Sequence, residues 1–248
     1  MTEPAEPTAA QETFLSHLVE LRTRLMRSII AVVVVLVCLF PWAKDIYALL
    51  AAPLLRTLPA GATMIATDVT GTFLVPLKVT LMAAFLIALP YVLWQVWAFV
   101  APGLYHHEKR LALPVLVSSC LFFFIGMSFA YFFVFPVMFS FFAGYTPAGV
   151  QMMTDIDKYL SFVLAMFLAF GLTFEVPVVV IVLVRLRVVS LEKLKSIRSY
   201  VIVGAFVIGA VFTPPDVLSQ LMLAVPLWLL YELGLFLARF ISVPPPEA

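Results

Sequence analysis

Six apolar stretches dominate the chain, separated by short polar ones. A helix needs about 20 apolar residues to cross the roughly 30 Å hydrocarbon core of a bilayer. The stretches at about 25–43, 73–97, 111–138 and 159–184 reach that length. Pro41 and Lys44 close the first. Lys78 stands near the start of the second, where its long stem can snorkel to the interface, and Pro76 and Pro90 are expected to bend it. Phenylalanine fills the third. Glu175 and Pro177 interrupt the fourth. The last two spans, at about 197–213 and 217–238, flank the turn Thr213-Pro214-Pro215-Asp216. The unbroken apolar part of the fifth, residues 200–212, covers only about 20 Å as a helix. Two readings stay open: a longer span that starts back near Leu194, with Lys195 and Arg198 at the interface, or a short hairpin that thins the bilayer locally.

Composition turns these stretches into a fold class. The chain has 248 residues, 64% hydrophobic and 12% charged. A soluble domain is roughly 45–50% apolar and about 25% charged, so the surplus must face lipid. The expected fold is an all-α integral membrane protein, one domain over 1–248 with six transmembrane helices.

Charge sets its orientation through the positive-inside rule. With the N-terminus inside, Arg22, Arg24, Arg27, Lys109, Arg110, Arg185, Arg187, Lys193, Lys195, Arg198 and Arg239 all fall on the cytoplasmic side. That is 11 of the 15 basic residues; Lys44, Arg56, Lys78 and Lys158 fall outside. Both termini are therefore expected in the cytoplasm. Residues 1–12 read as a disordered acidic, Pro/Ala-rich tail without the basic region of a signal peptide. The outer loop at 45–72 contains apolar patches such as 48–55 that suggest short interfacial helices. Cys38 and Cys120 read as buried small hydrophobes rather than a disulfide.

Several chemistries are excluded. No Gly-rich phosphate loop followed by Lys-Ser/Thr is present. His17, His106 and His107 all lie at the expected cytoplasmic edge, so no span offers a histidine base or a zinc set. Basic residues are too scattered for a nucleic-acid surface. The chain reads as neither an enzyme nor a cofactor carrier.

Two cytoplasmic segments stand out. Residues 13–25 form an amphipathic helix, with Phe14, Leu18, Leu21 and Leu25 on one face and the i,i+4 pair Glu20–Arg24 on the other. From spacing alone, an interfacial anchor in which Glu20 merely neutralises Arg24 is the plainer reading. The first inner loop, residues 97–110, holds a Pro102-Gly103 turn, headgroup-level aromatics Trp97, Phe99 and Tyr105, and a single acid, Glu108. A salt-bridged turn is the plain alternative.

Together these segments resemble a known family. Ser16-His-Leu-Val-Glu-Leu-Arg-Thr-Arg-Leu25 is similar to the N-terminal signature of the TatC family, the signal-peptide receptor of the twin-arginine protein translocase. Phe99-Val-Ala-Pro-Gly-Leu-Tyr-His-His-Glu108-Lys-Arg resembles its first cytoplasmic loop. Gly171-Leu-Thr-Phe-Glu175-Val-Pro177 resembles its fourth span, and Phe212-Thr-Pro-Pro-Asp216-Val-Leu-Ser-Gln220 its last turn. The four occur in the family's order over nearly the whole chain; Lys109 stands where arginine is common.

The resemblance implies that Glu20 and Glu108 receive the paired arginines of a signal peptide. Guanidinium–carboxylate pairing is bidentate, a geometry lysine cannot copy. Arg22, Arg24, Lys109 and Arg110 would repel misplaced cations, and Phe99, Pro102, Leu104 and Tyr105 would shape the apolar part of the site. Glu175 and Pro177 form an intramembrane polar spot, with a structural bond to a neighbouring helix as the alternative. Thr213 and Gln220 are expected to meet partner helices, local capping of the turn being the alternative. Asp216 is an expected N-cap, and Pro53 lies in a region linked to assembly between copies. Glu232 is expected to pair with Arg239. Implied partners are TatA and TatB transmembrane helices, other TatC copies, twin-arginine preproteins and membrane lipid, with no nucleic acid. Implied function is export of folded proteins across the bacterial inner membrane, driven by the proton motive force. A proton-coupled small-solute transporter using Glu175 is the competing reading, and an inert membrane scaffold a third.

Overall fold

Backbone polar groups in an apolar surround must be satisfied within the segment itself, which leaves helices as the available element. A computed structural model of the chain, describing residues 9–55, 64–100, 109–145, 153–213 and 216–240, is helical almost throughout. α1, Ala9–Leu39, is continuous, so the amphipathic segment and the first span are one helix. It starts inside the stretch expected to be a tail. Pro41 opens a 3-10 turn at Phe40–Trp42, and α2, Ala43–Leu55, follows. α2 contains Pro53 and the apolar patch 48–55.

α3, Gly71–Val100, carries Pro76 and Pro90 within one unbroken helix. α4, Lys109–Phe129, runs through a π turn at Ala130–Val134 into α5, Phe135–Gly144. The wider turn has a cause. Pro136 has no N–H, and its ring would clash with the carbonyl four residues back in a regular helix. α6, Ile156–Phe174, and α7, Val176–Arg185, meet at Glu175, one residue before the turn that contains Pro177. α8, Leu191–Ser196, α9, Arg198–Phe212, and α10, Val217–Ala238, complete the chain.

Among the described residues, five helical stretches are long and apolar enough to cross a membrane: Ser16–Leu49, Gly71–Val100, Ala112–Phe142, Ile156–Arg185 and Val217–Ala238. α9 is the shorter apolar helix, with 15 residues, about 22 Å of rise. The longer alternative for this span is not what forms, because the helix breaks at Ile197, where ψ is 7°. The break is held from outside. The Tyr231 hydroxyl on α10 donates to the Leu194 carbonyl at 2.7 Å, and Arg198 pairs with Glu232 at 2.7 Å. Glu232 thus pairs with Arg198 and not with Arg239 as the spacing suggested: Arg198 approaches from a packed helix, across which a side chain deep in α10 finds its partner.

Lys78 finds its partner at the strand end of the bundle. Its ammonium turns to Asp157 at 2.6 Å and Ser161 at 3.0 Å on α6, tying α3 to α6. Cys38 and Cys120 are both free thiols.

Phenylalanine and small residues interlock at the centre. Phe135, Phe170, Met138, Met166 and Val79 are all but inaccessible. α4 and α6 approach through reciprocal glycines: a Cβ on Gly171 would strike the Phe123 ring, and one on Gly126 would strike the Phe170 backbone. Such small-residue contacts let helices close without a hydrophobic driving force between them. Outside this core the first span packs on one side against α3, with no fully buried residue in its most apolar part.

At one end of the bundle, β1 (Met64–Ile65) and β2 (Thr154–Asp155) pair in parallel, Ile65 opposite Asp155. Asp155 also caps α6, accepting from the Asp157 and Lys158 amides at 2.9 and 3.0 Å. It accepts from the Thr67 amide at 3.0 Å and from the Thr67 hydroxyl. Asp68 makes a local turn with Thr70. The Thr67 hydroxyl, then the amides, hold the Asp155 carboxyl down at about 2.

Gly126→Ala is expected to cost about 1–3 kcal/mol, because a carbonyl cannot yield as a side chain can; a lowered Tm in detergent reads this, and an unchanged one refutes the close contact. The Asp155 link has a pH signature. A depressed carboxyl contributes fully above its unfolded value of about 4, and the contribution fades as pH falls through the folded value. Amide exchange at Thr67 and Lys158 should therefore stay slow from neutral pH to about 4 and quicken between about 4 and 2; protection that disappears well above that window would remove Asp155 as the anchor.

Candidate functional site

The opposite end of the bundle carries most of the basic residues. There the first turns of α1 lie against the last turns of α3. Glu20 faces Arg24 one turn on: Arg24 Nε donates to Glu20 Oε1 at 2.8 Å, and Nη2 reaches the same oxygen at 2.7 Å. The other oxygen, Oε2, meets only the His17 ring, at 4.0 Å, among the described residues. The side chain is 38% exposed. Glu20 is thus held from one side and open on the other.

Two residues that spacing alone does not single out build this arrangement. Gln95, 5% exposed, accepts from Arg24 Nη1 at 3.4 Å, a weak bond that links α1 to α3. His17 stacks on Phe99 with centroids 4.4 Å apart and planes 18° off parallel. A polar residue on an otherwise apolar face of a span was the available signal for Gln95. His17 had none, because its partner lies over 80 residues away. Phe99 therefore belongs to the same locus as Glu20. Arg22 is exposed on α1. Pro102, Leu104, Tyr105 and Glu108 lie outside the described residues, and Arg110 lies in the first turn of α4.

Deeper in, Trp97 Nε1 donates to Ser119 Oγ at 2.8 Å in a fully enclosed bond between α3 and α4. Ser119 lies beside Glu175. Glu175 is 7% exposed, and neither of its oxygens has a hydrogen-bond partner among the described residues. Ser119 on α4 is nonetheless a hydrogen-bonding neighbour of this carboxyl, so the structural bond to an adjacent helix stays open beside the functional reading. Pro177 lacks the N–H that the Thr173 carbonyl would otherwise accept, which explains the break beside it.

At the far end of α9 the polar groups serve the hairpin itself. Gln220 Nε2 donates back to the Phe206 carbonyl at 2.9 Å, with its stem packed over Gly209. The Thr213 hydroxyl donates to the Gly209 carbonyl at 2.8 Å. Asp216 sits at the N-cap of α10, accepting from the Ser219 amide at 2.7 Å. Among the described residues, the Gln220 carbonyl oxygen and its second N–H have no partner. Pro53 lies in α2, away from these groups in sequence and at the strand end.

A family model for the Sec-independent protein translocase protein (TatC) matches residues 16–226. The chain belongs to the TatC family. The TatC of Azotobacter chroococcum is 57% identical over 233 residues, covering 94% of this chain and 91% of that protein. The TatC of Escherichia coli K12 is 54% identical over 229 residues, 92% and 89% of the two chains. The crystal structure of a twin arginine translocase receptor TatC superposes with a TM-score of 0.79 at 43% identity, over 90% of this chain and 98% of that one. This TatC family member is accordingly a multi-pass membrane subunit of a bacterial protein translocase and not an enzyme. The solute-transporter reading of Glu175 finds no support in these relatives.

Phe99→Leu preserves apolar bulk but removes the ring that His17 stacks on. Its expected cost is about 1 kcal/mol, seen as a lowered Tm together with a shifted His17 ring resonance; both unchanged would mean that the stack does not hold α1 in place.

Proposed function

We propose that this chain is the signal-peptide receptor and core of its translocase, with six spans and both termini in the cytoplasm. α9 would be the short fifth span, crossing a locally thinned bilayer. The observation that carries the receptor reading is the half-open Glu20 carboxylate, gripped through one oxygen by Arg24 while the other meets only the His17 ring, at 4.0 Å, among the described residues. An incoming guanidinium can bond this second oxygen without first displacing Arg24. Glu108, in the first inner loop, supplies the second carboxylate. Arg22, Arg110 and Lys109 discourage cations that miss the two acids. Phe99, Pro102, Leu104 and Tyr105 take the apolar residues beside the arginine pair.

The preproteins are those that bear paired arginines. The helices of TatA and TatB meet the face near Thr213 and Gln220, where Gln220 retains unspent hydrogen-bonding capacity, and Pro53 lies at a contact between TatC copies. The solved relative described as a twin arginine translocase receptor supports this assignment by analogy. Glu175, unpaired inside the bundle among the described residues, is a polar spot for the inserted signal hairpin or for a proton, consistent with transport driven by the proton motive force. The membrane is the bacterial inner membrane.

A hydrogen bond to a charged group is worth about 1.5–3 kcal/mol. A Glu20→Ala/Glu108→Ala chain is therefore expected to bind an Arg-Arg signal peptide at least about tenfold more weakly and to discriminate it poorly from a Lys-Lys peptide. Affinity measured on the full chain in nanodiscs checks this. Undiminished binding by the double variant would overturn the receptor site.

A further inference from the structure

A second polar feature lies at the basic end, apart from Glu20. A cavity of about 500 Å³ opens between the ends of α7 and α10 and the start of α8. Val184, Val189 and Leu191 form its apolar wall, while Arg187, Arg239 and Ser190 bring polar groups to it. No carboxylate lines it among the described residues. Arg24 and Arg198 are each tied to an acid, but neither Arg187 nor Arg239 has a partner among the described residues.

Arg187 is held there against its backbone preference. Its φ is 56°, the single positive value at a non-glycine among the described residues. It ends α7 in the left-handed position, with the Val188 amide bonded to the Leu183 carbonyl at 3.1 Å. Glycine takes this helix-ending position without steric cost. The chain places an exposed guanidinium there instead, at the mouth of the cavity that Arg239 also lines.

We propose that this cavity binds the headgroup of an anionic phospholipid, with Arg187 and Arg239 holding the phosphodiester. The planar fork of arginine matches phosphate oxygens. The apolar wall would take the glycerol and first methylenes, which a free phosphate does not possess. Basic pockets between spans on the cytoplasmic side meet the leaflet richest in anionic lipid. That leaflet assignment rests on the orientation proposed above, whereas binding in micelles is independent of it, so either can fail alone.

The test uses the full chain in maltoside micelles, titrated with phosphatidylglycerol, phosphatidylcholine or inorganic phosphate and read by native mass spectrometry. Phosphatidylglycerol should be retained in preference to phosphatidylcholine. Arg187→Gly/Arg239→Gln should weaken that retention by about tenfold or more, while the lipid-free Tm does not fall, since glycine suits the backbone at 187. Lys44→Gln/Lys158→Gln, removing the same charge from the strand end, should leave retention intact. Equal retention of the two lipids, or equally weakened retention in both double variants, would overturn the site. Displacement of the lipid by inorganic phosphate would reassign it to free phosphate and overturn the lipid proposal.

Discussion

A polar side chain that enters hydrocarbon loses water and must find a partner in the protein, and the cheapest partner is on a neighbouring helix. That constraint organises this molecule. Lys78 with Asp157 ties α3 to α6, Trp97 with Ser119 ties α3 to α4, and Arg198 with Glu232 ties α9 to α10. Tyr231 adds a second bond to the Leu194 carbonyl, which also accepts from the Ile197 amide where α8 stops. Apolar packing supplies the bulk of the core, but it is permissive about sliding and rotation. These few directional bonds fix which turn of one helix faces which turn of the next. Close glycine approaches at positions 126, 171 and 234 do the same sterically.

The exceptions to that constraint are informative. Glu175 is enclosed and has no hydrogen-bond partner among the described residues. Glu20 is paired through one oxygen only. Arg187 and Arg239 are cations without acids among the described residues. Each of these lies where an outside molecule can reach or is proposed to insert, whereas Arg198 Nε, Asp216 Oδ2 and Ser219 Oγ are buried atoms at helix ends that also lack a partner among the described residues. The proposed receptor site and the proposed lipid cavity sit at the same end of the bundle, so lipid held at Arg187 would steady the ends of α7 and α10 while a signal peptide engages α1 and the first inner loop.

The Glu20 locus also shows why spacing understated it. Along α1, Glu20 and Arg24 form an ordinary i,i+4 pair, which on an exposed surface is worth only about 0.3–0.5 kcal/mol. The arrangement matters because Arg24 also reaches Gln95, and His17 rests on Phe99. Two weak contacts across helices turn a local pair into a positioned carboxylate with one face open.

The sequence by itself determined the helical class, the positions of four long spans, the breaks at Pro41 and Pro177, and the N-cap at Asp216. These follow from local rules: apolar length, missing N–H groups, and a carboxylate one turn before free amides. Family resemblance added the expectation that Glu20 and Glu108 receive the signal peptide. Only the tertiary structure decided that α9 is short, that Glu232 answers Arg198, that Lys78 pairs with Asp157, and that Gln95 and His17 support Glu20. Those depend on residues dozens of positions apart being brought within hydrogen-bonding distance. Helical periodicity tells which way a residue points on its own helix; it carries no record of what the next helix places opposite.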